Sequence, residues 1–325
     1  MSADAVRTPE ELLEGLPDYP FVSRYREVEG LRLAHLDEGE GRPVVFFHGE
    51  PTWSFLWRKV IPPVRDAGFR CIAPDYAGFG RSDKPTDLGW YTYDRHVELM
   101  AMLLEELDLR DATVVVHDWG GPIGLRLAVE HPDRVSRIVI METGPFTGHQ
   151  RMSDAWFAFR DFVRDNEDVP IGTLIRGGCK EDPGDDVIAA YDAPYTDPSS
   201  KAGARAFPLI LPTTPEALGA AEGKRVADGS ARRRAALAGP MGRFGPDPAL
   251  PRRRARLPRA RADPAAADRG CLSLPPGGRR PRDRRDHRRV ARLISSAISA
   301  CERCSSSWTR RGGPLSSTQV TVPGQ

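Results

Sequence analysis

The chain has 325 residues, enough for one α/β core with an inserted subdomain. Its formal charge of +2 conceals a break: residues 1–226 carry 25 Lys+Arg against 38 Asp+Glu, whereas residues 227–325 carry 22 Arg, no Lys and 7 acids. No apolar run reaches the ~18 residues of a membrane span, Met1 to Arg7 lack a basic start and a hydrophobic signal, and an odd, scattered five cysteines argue against a disulfide framework. A cytoplasmic protein is expected. The spacing of Cys301-Glu302-Arg303-Cys304 is read as chance beside Ser305-Ser306-Ser307, not as a metal or redox site.

In chain order, Tyr25 to Leu36 alternates apolar and polar around Glu29-Gly30, which predicts a β-hairpin. Val44-Val45-Phe46-Phe47 is a short apolar run suited to a strand buried on both faces, and it delivers His48-Gly49-Glu50-Pro51 to its C-terminal end. Trp53 to Asp66 reads as a helix and Phe69 to Pro74 as the next strand, which ends in Asp75-Tyr76-Ala77-Gly78-Phe79-Gly80-Arg81-Ser82. Asp94 to Leu107 is helical, with apolar residues at Val97, Met100, Leu103 and Leu104.

Thr113-Val114-Val115-Val116-His117 then reads as a strand running into Asp118-Trp119-Gly120-Gly121-Pro122, with a helix opening at Ile123. A sharp strand-to-helix turn of this kind lifts one side chain above the sheet. The lifted residue is Asp118. A carboxylate nucleophile forms an alkyl ester, so the expected target is an electrophilic carbon. Val135 to Glu142 is a further strand; the alternation implies a doubly wound, mostly parallel sheet, with each motif at a strand's C-terminal end where such sheets place ligands. From residue 145 to 215 the rhythm changes: Asp154 to Val163 is an aromatic-rich helix candidate followed by irregular Gly/Asp/Pro-rich segments, read as a cap over the active-site face.

Together the segments His48-Gly49-Glu50-Pro51, Asp75 to Ser82 and His117-Asp118-Trp119-Gly120-Gly121 resemble the haloalkane dehalogenases, over roughly residues 10–226. The resemblance implies an α/β-hydrolase fold with an inserted helical cap and hydrolysis of alkyl halides without metal or organic cofactor. It implies Asp118 as nucleophile, and the backbone N–H groups of Glu50 and Trp119 as oxyanion hole. The Trp119 indole N–H would meet the halide, a suitable task for a group that only donates. Trp156, the only cap tryptophan, is the candidate second indole. His48 is expected to brace the oxyanion loop, Asp75 to organise its turn, and His117 to be a neighbour, not the base. The implied partners are a small halogenated substrate and water, with no nucleic acid and no membrane, and a monomer is expected. An epoxide hydrolase is the alternative, for which Tyr191 and Tyr195 are cap donors; a non-catalytic relic is another.

Ester hydrolysis needs a histidine base and an orienting acid, which the family carries in segments similar to L-W-A-D-S-D-P and S-H-F-L-Q-E-D. No base or orienting acid is identifiable in residues 227–325, where His287 is the only histidine and stands in Arg-rich sequence. Reading each codon from its second base changes this. Pro240-Met241-Gly242-Arg243-Phe244-Gly245-Pro246 can encode Leu-Trp-Ala-Asp-Ser-Asp-Pro, the Trp being forced by Met241-Gly242. Gly270 to Gly278 in the same displaced frame permits Ala-Ala-Ser-His-Phe-Leu-Gln-Glu. The expected organisation is therefore a core over 1–144, a cap over 145–215, a return to the core over 216–226 and a disordered, out-of-frame tail over 227–325. The other reading of that tail, a basic nucleic-acid arm, lacks interleaved aromatics or a helical charge face.

Overall fold

The computed structural model describes residues 4–179 and 181–238. The readings at His287, at Cys301 and Cys304 and at the displaced-frame segments lie outside the described residues. After strand β1 (Ala5–Val6), β2 (Arg24–Val28) and β3 (Leu31–Glu38) form the expected hairpin. Its turn residues Glu29 and Gly30 both take positive φ, 52° and 76°, the twist a two-residue hairpin requires. Next come β4 (Arg42–Phe47), α1 (Ile61–Asp66), β5 (Phe69–Pro74), β6 (Lys84–Pro85) and α2 (Tyr93–Glu106). Strand β7 (Ala112–His117), helix α3 (Gly120–Glu130) and β8 (Val135–Met141) follow.

The six-stranded sheet has the order β2-β3-β5-β4-β7-β8. Pairings from β5 through β4 and β7 to β8 are parallel, while β2 and β3 are antiparallel. Phe46 and Phe47 of β4 and Val114, Val115 and Val116 of β7 are fully buried, which explains their unbroken apolar runs. Burial of each such side chain contributes about 1.5–3 kcal/mol. Because β4 and β7 are neighbours, with Phe47 opposite Val116, the loop after one and the turn after the other emerge side by side.

Three sequence expectations are corrected. The helix over Trp53 to Asp66 is broken into a 3₁₀ turn (Ser54–Trp57) and α1, because Pro62 and Pro63 supply no N–H and fit only a helix's first turn. The segments after the aromatic helix α4 (Asp154–Asp165) are not irregular: they hold α5 (Ile171–Gly178), α6 (Asp185–Asp192) and α7 (Ala202–Ile210). Last, α8 (Ala220–Ala238) runs past the expected boundary at Val226–Ala227, so the disorder expected from residue 227 does not hold for 227–238. Ala and Arg dominate Ala231 to Ala238, and both are strong helix formers whatever frame produced them. Among the described residues no helix is long and apolar enough to cross a membrane.

His96, on α2, is fully buried among Tyr76, Tyr91, Trp90 and Phe207, and neither ring nitrogen has a partner. Burial, then His48 and Arg95, lowers its pKa from 6.5 to about 3. The folded imidazole stays neutral while the unfolded one protonates below pH 6.5, so its contribution to stability is complete above 6.5 and is lost as pH falls toward 3. His96→Phe removes that loss. Relative to the parent, the variant should gain about 2 kcal/mol on going from pH 7 to pH 5, at 1.4 kcal/mol per pH unit. Denaturant unfolding at the two pH values measures it; an equal difference at both would refute the assignment.

Candidate active site

The turn after β7 holds Asp118 at φ 50°, in the left-handed region that a non-glycine residue occupies at a cost of order 1–3 kcal/mol. Two hydrogen bonds hold it there. The Gly121 N–H donates to the Asp118 carbonyl at 2.8 Å, and Thr143 Oγ1, just beyond β8, donates to the same oxygen at 2.5 Å. Gly121 is required at its position because a Cβ there would collide with the Thr143 side chain.

The loop after β4 meets this turn. The Glu50 N–H donates to Asp118 Oδ1 at 2.9 Å, which brings two of the sequence-derived site residues together. A Cβ on Gly49 would lie 2.6 Å from Asp118 Oδ1 and closer still to its Cβ. Gly49→Ala must therefore push the carboxylate off the Glu50 N–H. A displacement of about 1 Å costs on the order of 100-fold in reactivity, which the rate of adduct formation at Asp118 would report. An unchanged rate would show that the close approach has no chemical role.

The fully buried His48 packs on Tyr76 with ring centroids 4.2 Å apart. Its Nδ1 pairs with the Gly49 carbonyl at 2.8 Å, and its Nε2 accepts the Tyr76 N–H at 3.2 Å, so Nδ1 carries the proton. Burial lowers its pKa from 6.5 to about 3, so the ring is a neutral brace for the loop. Asp75 accepts the N–H groups of Ser54 at 2.7 Å and Arg81 at 2.9 Å and thereby ties its glycine-rich turn to the loop after β4. Burial pushes its carboxyl upward, against these two donors. His117 ends β7, and among the described residues it makes no hydrogen bond to Asp118.

Trp119 is buried and stacks on Phe207 of α7, centroids 4.7 Å apart and planes at 24°, with Phe146 at 6.0 Å. Trp156 packs elsewhere in the cap. It lies on α4, whose first turn is capped by Ser153, and its ring neighbours are Phe157 and the Arg160 guanidinium. Its helix α4 lies against α7, which carries the Phe207 that stacks on Trp119. Tyr191 meets Phe55 edge-on at 5.1 Å, and the Tyr195 hydroxyl donates to the Pro51 carbonyl at 3.5 Å. Thr143 and Phe207 were not anticipated from sequence. A threonine two residues after a strand offered one weak signal; Phe207 offered none.

The α/β hydrolase fold family model matches residues 42–175. A haloalkane dehalogenase of Mycolicibacterium paratuberculosis is 46% identical over 217 residues, covering 65% of this chain and 72% of that protein. Another, from Psychrobacter cryohalolentis, is 43% identical over 218 residues, with 65% and 72% covered. Among solved structures, the tetrameric haloalkane dehalogenase DpaA of Paraglaciecola agarilytica is similar at a TM-score of 0.66 and 34% identity, over 69% of this chain and 77% of that one. With the elbow aspartate bound by the N–H of the neighbouring loop, and with relatives of this identity and coverage, the chain belongs to the haloalkane dehalogenase family of α/β-hydrolases.

Proposed function

We propose that this protein cleaves carbon–halogen bonds by in-line displacement at Asp118, giving an alkyl ester of Asp118 and free halide. The observation that carries this is the contact between the Glu50 N–H and Asp118 Oδ1, in a turn that fixes the carboxylate at the sheet's C-terminal edge. In this reading Oδ2 attacks carbon while Oδ1 stays on the Glu50 N–H. When the ester is later attacked by water, the same N–H and that of Trp119 receive the developing oxyanion. The Trp119 indole donates to the departing halide, held in place by its stack on Phe207. Trp156 supplies the second indole from the cap, residues 145–215, and α4 packing on α7 is what supports that assignment. The small halogenated substrate and water are the partners, and the protein acts as a monomer.

Hydrolysis of the ester is the step this chain lacks, since its residues 227–325 offer no histidine and acid in the family's pattern. We assign those residues to a displaced reading frame. Mass spectrometry after exposure to a haloalkane should show one alkyl group on Asp118, with one halide released per chain and no further turnover. An unmodified Asp118 with halide released would refute the nucleophile; sustained turnover would refute the missing base. The haloalkane dehalogenases named above favour this reading over the epoxide one.

A further inference from the structure

We infer that Glu50 and Asp118 share one negative charge: Glu50 holds a proton while Asp118 is a carboxylate and gives it up when Asp118 becomes an ester. The inference rests on Asp118 being the nucleophile.

The two carboxyl groups belong to residues in direct contact, through the Glu50 N–H and Asp118 Oδ1. Glu50 Oε1 is buried and has no hydrogen-bond partner, and among the described residues neither carboxyl takes part in an ion pair. The groups that face Glu50 supply no cation. From the elbow comes Asp118 itself. From the segment after α6 comes Tyr195, whose hydroxyl donates to Pro51 and whose own deprotonation is opposed by burial. On its own loop, His48 is neutral and occupied at both ring nitrogens.

Two carboxylates in contact, each half-buried and without a cation, oppose one another's ionisation. Asp118 receives an N–H donor and Glu50 Oε1 does not, so the charge resides on Asp118. Burial first, and the Asp118 charge second, accordingly raise the Glu50 carboxyl well above its ordinary range. Alkylation removes the second cause. The Asp118 oxygen forms a bond to carbon, the carbon–halogen bond breaks with its electron pair leaving on halide, and the Glu50 O–H passes its proton to water. The site keeps a charge of −1 before and after, and a second anion beside the departing halide is avoided until the halide has left.

The test follows a single round of alkylation in weakly buffered solution from pH 6 to 10, with 1,2-dibromoethane as the haloalkane. Halide, the Asp118 adduct and protons (from an indicator dye) are counted together. Protons per adduct should rise with pH to a maximum and fall again, since below the window the alkylated form keeps its proton and above it the resting form has none to lose. Glu50→Gln should give protons per adduct near zero at every pH, whatever its rate. A parent ratio of zero throughout, or an equal ratio in Glu50→Gln, would overturn the inference. If no adduct forms, the nucleophile assignment fails instead. Infrared difference spectra of the resting parent against Glu50→Gln still decide the Glu50 proton: an acid C=O band lost in the variant supports it, and its absence overturns it.

Discussion

Asp118→Asn abolishes alkylation of the protein, lowering the rate of adduct formation by at least about four orders of magnitude, or more than about 5 kcal/mol of barrier. Asparagine is the informative replacement because it tolerates the left-handed backbone at φ 50° nearly as well as aspartate and keeps the shape of the side chain. The Gly121 and Thr143 hydrogen bonds go to the backbone carbonyl and are untouched. The Glu50 N–H still finds an oxygen on the carboxamide. Only the charge and the nucleophilic electron pair are lost, so a thermal unfolding midpoint close to the parent's should accompany complete loss of chemistry. Residual alkylation elsewhere on the chain, at the same rate as in the parent, would show that Asp118 was never the reacting group.

How much of this was legible in the sequence follows from where the physical signals lie. Runs such as Val44 to Phe47 and Thr113 to Val116 announce strands buried on both faces, and the residues after them necessarily emerge at one edge of the sheet. The family resemblance implied Glu50 beside Asp118 as part of the oxyanion hole, whereas the adjacency of β4 and β7 that brings them together is visible only in the fold. The Pro62-Pro63 break is legible, since two prolines fit only a helix's first turn. The helices α5, α6 and α7 were not readable. At 8, 8 and 9 residues they are too short to be stable alone. Their support is tertiary, such as the Gly172 N–H on Asp192 at 2.6 Å, and Gly177, Gly178 and Pro208 argue locally against helix. The partner of Trp119 was illegible for a related reason. Phe207 lies 88 positions away on a helix that sequence did not predict, and only packing joins the two rings.

The larger consequence lies in the half of the reaction that this polypeptide lacks. In the proposed reading, displacement consumes the Asp118 carboxylate, and an ester without a base should persist, so each chain should release one halide. In the displaced frame we propose after Val226, the codons permit an acid at Arg243-Phe244 and a histidine at Ser273-Leu274, so a product continuing in that frame would carry a base. A general base contributes on the order of 10²–10⁴-fold to such a hydrolysis, which separates a persistent ester from a transient one. The expected result is halide release exceeding the protein by at least about a hundredfold, at turnover rates of the order of 1 per second or above. The adduct mass should be detectable only at early times. Replacing the recovered histidine by glutamine in that product should return it to one halide per chain with the adduct on Asp118. Should the repaired product also stop at the adduct, the displaced frame would not hold the base, and hydrolysis would have to be sought among residues 1–226.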